Sequence, residues 1–62
     1  MPAPAYDIFR VDAKGVLWLA SAETAQEAAA RAQEFAADKP GEYLVLNQRT
    51  GEKTALRAAA GN

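Results

Sequence analysis

The sequence predicts an α+β domain of two layers, in which one helix covers one face of a four-stranded, mostly antiparallel sheet. Two observations predict this ββαββ order. A pair of strand-like segments joined by a glycine-containing turn occurs on each side of the chain's centre, and the alanine-rich segment between the pairs has helical periodicity. A chain of 62 residues forms one domain, which we place at residues 6–57, between a disordered lead-in (1–5) and a flexible tail (58–62).

Each predicted hairpin depends on a turn that ends in glycine. The predicted strands are residues 6–11, 16–20, 42–47 and 53–57. We expect Gly15 to take the left-handed conformation after a type I turn and to form a G1 bulge, and Gly51 to do the same in the second hairpin. In this register Asp12 lies opposite Val16, Phe9 opposite Leu19, Ile8 opposite Ala20, Arg10 opposite Trp18, and Tyr43 opposite Arg57.

A helix is predicted over residues 21–37, because alanine, glutamate, glutamine and arginine are strong helix formers. Thr24 and Glu27 match a capping box, Ser21 is an alternative cap, and Pro40 ends the helix. The apolar stripe expected to face the sheet contains Ala25, Ala28, Ala29, Ala32, Phe35 and Ala36.

The alternation of side chains along the strands divides the predicted sheet into two faces. The face expected beneath the helix carries Phe9, Val11, Leu17, Leu19, Leu44, Leu46, Thr54 and Leu56. The face expected to stay open carries Tyr6, Ile8, Arg10, Val16, Trp18, Ala20, Tyr43, Val45, Asn47, Lys53, Ala55 and Arg57. We prefer the strand order 2-1-3-4 with every neighbour antiparallel, and the mixed order 1-2-3-4 is the alternative.

Composition limits the classes of function. The chain has no cysteine and no histidine, so disulfides and the usual zinc sets are excluded. With the commonest general base and the best nucleophile missing, and with no phosphate-binding or calcium-binding motif, we expect a protein that is not an enzyme and needs no cofactor. The net charge of −1, the lack of a long apolar run and the lack of a basic, apolar leader favour the cytoplasm.

The open, aromatic face is the candidate site. The residues expected to make contacts are Tyr6, Ile8, Arg10, Trp18, Tyr43, Val45 and Arg57. Arg10 beside Trp18, and Arg57 beside Tyr43, would form cation–π pairs. The preferred hypothesis is a homodimer in which two such faces pack together. The alternatives are stacking of single-stranded nucleic acid on the same face, and docking onto a different protein as an adaptor or antitoxin-like unit.

Short strings spread along the chain carry a resemblance to known proteins. These strings are Tyr6-Asp7-Ile8-Phe9-Arg10, Gly15, Trp18, Thr24 with Glu27-Ala28, Pro40-Gly41-Glu42-Tyr43 and Thr50-Gly51-Glu52. The pattern resembles a group of small bacterial proteins of unknown function, and this resemblance implies no activity and no binding residue. The segment from Thr24 to Ala32 is also similar to the helix start of HicB-type antitoxin domains, although the chain lacks their early Pro-Gly-Cys region.

Overall fold

The computed structural model describes residues 5–58 and has the predicted ββαββ order. Its elements are β1 (Tyr6–Asp12), β2 (Gly15–Ala22), α1 (Ala25–Asp38), β3 (Gly41–Asn47) and β4 (Lys53–Ala58). The strands form one sheet in the order β2-β1-β3-β4, and every neighbouring pair is antiparallel. The α+β fold and the preferred strand order are therefore confirmed, and the mixed order is wrong.

The limits of the domain reach slightly beyond the predicted range. Ala5, placed by the sequence in the lead-in, is buried, and its carbonyl oxygen accepts a hydrogen bond of 2.7 Å from the Gln48 N–H. At the other end β4 extends to Ala58. The remainder of the predicted lead-in and tail, residues 1–4 and 59–62, lies outside the described residues.

The first hairpin turns more tightly than predicted. Asp12 lies opposite Gly15 instead of Val16, so two residues connect the strands. The Asp12 carboxylate accepts a hydrogen bond of 2.8 Å from the Lys14 N–H, which closes an Asx-type turn. Gly15 has a φ of +136°, which an L residue rarely adopts, so this position needs glycine even though no extra residue is accommodated there.

The extra residue of this hairpin is Leu19 rather than Gly15. The pairing shifts between Ile8 and Phe9, so that Ile8 lies opposite Ala20, as predicted, whereas Phe9 lies opposite Trp18. The predicted pairing of Phe9 with Leu19 is therefore wrong. A bulge of this kind shifts the alternation of side chains on one strand against its neighbour. Trp18 consequently shares a face with Phe9.

The second hairpin is shifted by one residue from the predicted register. Gly51 is left-handed, as predicted, with a φ of +78°, and its N–H donates to the Asn47 carbonyl oxygen at 2.7 Å. The Asn47 N–H donates in turn to the Glu52 carbonyl oxygen at 2.8 Å. The turn thus takes up one residue more than predicted, and Tyr43 lies opposite Leu56.

The helix begins later than predicted because β2 continues through Ala22. Thr24 is the N-cap, and its hydroxyl accepts a hydrogen bond of 3.0 Å from the Glu27 N–H. In a capping box the Glu27 carboxylate would accept a hydrogen bond from the backbone N–H of the N-cap residue, Thr24. Here it accepts instead from the N–H of Glu23, one residue earlier, at 3.2 Å. Pro40 directly follows the C-cap, Lys39. A proline disfavours the helical conformation of the residue before it, and Lys39 is extended, as expected.

The registers divide the sheet into two sides, because residues that lie opposite each other point to the same side. The helix side carries Tyr6, Ile8, Arg10, Leu17, Ala20, Ala22, Tyr43, Val45, Asn47, Thr54 and Leu56. The open side carries Asp7, Phe9, Val11, Val16, Trp18, Ser21, Glu42, Leu44, Leu46, Lys53, Ala55 and Arg57.

The predicted phase of the two central strands is therefore wrong. The residues predicted beneath the helix but found on the open side are Phe9, Val11, Leu44 and Leu46. Those predicted on the open side but found on the helix side are Tyr6, Ile8, Arg10, Ala20, Tyr43, Val45 and Asn47. In residues 6–11 and 42–47 each side of the strand carries two apolar residues and one polar residue, so alternation alone does not identify the covered side.

The core is built on small residues of the helix. Ala28, Ala32 and Ala36 are buried, and they lie against a sheet whose most deeply buried large side chains are Ile8 and Tyr43, 0% and 1% exposed. Alanine lets a helix approach a sheet closely, and the larger sheet residues then supply most of the buried apolar area.

We expect Ile8→Ala to lower the free energy of unfolding by about 2–4 kcal/mol, because it opens a cavity where nothing else fills the space. Gln33→Ala, on the exposed surface of α1, is the control and should change stability by less than about 0.5 kcal/mol. Urea denaturation followed by circular dichroism measures both. Equal effects of the two variants would contradict the proposed core.

The helix start also predicts a titration behaviour. The pKa of Glu27 lies below its ordinary value of 4.5, first because its carboxylate accepts the Glu23 N–H and second because of Arg31, 3.3 Å away. A lowered pKa stabilises the fold above the ordinary value, and this contribution is lost as the pH falls through the folded-state pKa. NMR titration should give a Glu27 pKa below 4.5 that rises in Arg31→Ala. A pKa that does not change in the variant would rule out the contribution of the arginine.

Candidate interaction surface

Tyr43, a predicted contact residue, instead joins the sheet to the end of the helix. Its hydroxyl lies 3.1 Å from the Phe35 carbonyl oxygen and also contacts the Lys39 carbonyl oxygen. Arg10 lies beside it, and Nη1 of the guanidinium donates to the tyrosine oxygen at 2.8 Å and to the Lys39 carbonyl at 3.4 Å. The carbonyls at a helix C-terminus carry a partial negative charge, which the arginine neutralises.

The predicted cation–π pairs, Arg10 with Trp18 and Arg57 with Tyr43, do not form. Arg10 lies over the ring of Tyr43, with its Cζ atom 5.5 Å from the ring centre, and not beside Trp18. Arg57 lies on the open side, where its guanidinium is 3.9 Å from the Glu42 carboxylate. Ile8 and Tyr43 are buried and Arg10 lies on the helix side, so these three predicted contact residues do not belong to the open side, whereas Arg57 is on the open side and exposed.

Two further predicted contact residues, Tyr6 and Val45, line a groove between the helix and the sheet. The groove has a volume of about 220 Å³ and is completed by Ala25, Ala29 and Thr54. Pockets for small ligands usually measure about 300–1,000 Å³ and contain several converging polar groups. The groove is smaller and mostly apolar, so its geometry does not indicate a small-molecule site.

Trp18 keeps the exposed position that the sequence predicts. Among the described residues, the large apolar side chains with the greatest exposure are Val16, Leu17 and Trp18, at 61%, 59% and 55%. We call these three residues of β2 the outer-strand patch. Val16 and Trp18 point to the open side of the sheet and Leu17 to the helix side, so the patch surrounds the free edge of the sheet rather than covering one face.

The Trp18 side chain is held by a polar contact. Its Nε1–H donates to a carboxylate oxygen of Asp7 at 3.3 Å, and the other oxygen of that carboxylate accepts from the Gln48 side-chain amide. Asp7 is therefore shared between an indole and an amide from the two hairpins. A tryptophan held in this way loses less conformational freedom on binding than a free side chain does.

The charges of the open side are balanced. Asp7 and Glu42 contribute two negative charges, and Lys53 and Arg57 contribute two positive charges on the same side of the described sheet. A surface that binds nucleic acid usually carries a clear excess of positive charge. The geometry therefore provides aromatic rings without the accompanying electrostatic attraction.

Sequence reasoning missed Val16 and Leu17 as candidate contact residues. We expected Leu17 beneath the helix, and it does point to the helix side, but it lies at the sheet's edge and stays 59% exposed. A signal for this was present, because Val16-Leu17-Trp18-Leu19 is an uninterrupted apolar run in a strand that the preferred order places at the edge.

In comparisons with protein-family models, with curated proteins and with solved structures, no match to this chain was found. Within residues 5–58, no helix is long and apolar enough to cross a membrane. The same part of the chain contains no group of three or more Asp or Glu side chains arranged to hold a metal ion.

We expect Tyr43→Phe to lower the free energy of unfolding by about 1–2 kcal/mol, because the helix-end carbonyls lose a hydrogen-bond donor and Arg10 loses an acceptor. Tyr6→Phe is the matched control, since its hydroxyl has only a long contact of 3.5 Å with Asn47. Thermal unfolding of both variants checks this. A larger loss in Tyr6→Phe would show that the hydroxyl of Tyr43 does not fasten the helix.

Proposed function

We propose that this chain is a non-catalytic protein-interaction module that forms a homodimer through the outer-strand patch. The observation that carries the proposal is the exposure of three consecutive large apolar residues, Val16, Leu17 and Trp18. Exposed apolar groups that are adjacent on the surface of a small domain are typical of interaction sites. Tryptophan in addition is among the residues that contribute most to binding energy.

The size of the chain supports a second copy as the partner. At 62 residues the domain buries a small core, and much of that core is alanine. A partner that covers the outer-strand patch would add buried apolar area that the monomer lacks, and chains of this size without disulfides or metals often gain stability in this way. The non-catalytic assignment is supported by the absence of histidine and cysteine from the sequence.

The nucleic-acid alternative has less support. Trp18 and Phe9 share the open side and could stack nucleobases. The negative charges of Asp7 and Glu42, however, balance the positive charges of the two basic side chains on that side. A different protein as partner would use the same exposed patch. The mass of the isolated chain in solution therefore separates self-association from docking onto something else.

Light scattering after gel filtration, over a micromolar concentration series, should give twice the chain mass of 6.6 kDa. Trp18→Glu should return the mass to that of a monomer, because a charge would be placed within an apolar contact. Gln33→Glu adds the same charge on the exposed surface of α1 and should leave the dimer intact. A native chain that stays at 6.6 kDa throughout would refute self-association.

A further inference from the structure

We infer, building on the proposed self-association, that two copies join edge to edge, with β2 of one copy pairing antiparallel with β2 of the other. The sheet order leaves β2 with β1 on one side and no strand on the other. The unpaired N–H and C=O groups of an edge strand are satisfied by water or by another extended strand. The result is one continuous sheet of two copies.

The exposure pattern favours pairing at the edge over stacking of open faces. Leu17 on the helix side is as exposed as Trp18 on the open side, and stacking of the open faces would cover Val16 and Trp18 but leave Leu17 exposed. Phe9 and Leu44, the apolar pair at the centre of the open side, are already half-buried. An added strand covers both sides of the edge at once, as strand addition does in other complexes.

Charge distinguishes the two edges of the sheet. None of the eight residues of β2 carries a charge, so its self-pairing brings no like charges together. The opposite edge is β4, which carries Lys53 and Arg57. Antiparallel self-pairing of β4 about Ala55 would place Lys53 opposite the second copy's Arg57, and like charges directly opposite each other are destabilising. The free edge that accepts a second copy is thus β2.

The register of the pairing follows from the bulge and from symmetry. A twofold axis perpendicular to the sheet keeps both helices on one side and requires that opposed residues point the same way. Leu19 interrupts the regular part of β2, so the pairing is centred before it. Centred on Leu17, it places the two copies' Leu17 side chains opposite each other and Val16 of each copy opposite Trp18 of the other.

A disulfide tests this arrangement, since the chain contains no cysteine of its own. Directly opposed residues of antiparallel strands have Cα atoms about 4.5–5.5 Å apart, a separation that a disulfide spans. Leu17→Cys under mild oxidation should therefore give a covalent dimer on a non-reducing gel. Ala55→Cys, an exposed residue at the centre of β4, is the matched control and should remain mostly uncrosslinked.

The outcomes separate the two proposals. Covalent dimer from Leu17→Cys well above the Ala55→Cys control supports the pairing of β2 strands. If light scattering shows a dimer of the native chain but Leu17→Cys crosslinks no more than the control, edge pairing is overturned while self-association stands. A native chain that is monomeric overturns both.

Amide hydrogen exchange gives an independent readout that does not depend on a variant. In the native chain, exchange should slow as the concentration rises at those residues of 16–18 whose N–H groups point away from β1, because these groups become hydrogen-bonded. Exchange rates at these residues that do not depend on concentration, in a sample that is dimeric by light scattering, would exclude the paired edge.

Discussion

The contact between Tyr43 and the end of α1 fastens the helix to the side of the sheet that it covers. An alanine stripe can lie against either side of a small sheet, because it has few knobs that need matching holes. The tyrosine hydroxyl reaches the last carbonyl groups of the helix, and Arg10 completes the arrangement from the neighbouring strand. Once this side is fixed beneath the helix, Trp18 and Phe9 face away from it, and the outer-strand patch stays at the surface.

The sequence predicts the order of the elements and the strand order well, because these depend on strong local signals. Gly51 is left-handed as predicted, Thr24 caps the helix, and Pro40 follows its end. The face assignment fails for a physical reason. Tyr6, Ile8 and Arg10 alternate with Asp7, Phe9 and Val11 in β1, so both sides have a similar apolar content. The covered side is the one on which the Tyr43 hydroxyl contacts the end of α1, and the alternation of apolar and polar residues in the strands does not reveal this contact.

The candidate site could be predicted only in part. Trp18 is exposed as expected, but its exposure depends on a bulge at Leu19 and not on a bulge at Gly15. In the register predicted from the glycine, Trp18 lies opposite Arg10 and would share the helix side with it. Shifting the extra residue by four positions moves the tryptophan to the other side. Where a hairpin accommodates its extra residue thus determines what the edge of the sheet presents.

The cationic residues of β4 have a consequence for how far such an assembly can grow. If β2 pairs with a second copy, the edge strands that remain in the dimer's sheet are the two copies of β4, and each carries Lys53 and Arg57. Further chains find no uncharged strand to extend, and elongation into a fibre is opposed at both ends. A short chain can thereby keep an apolar strand at its rim and still form a finite particle.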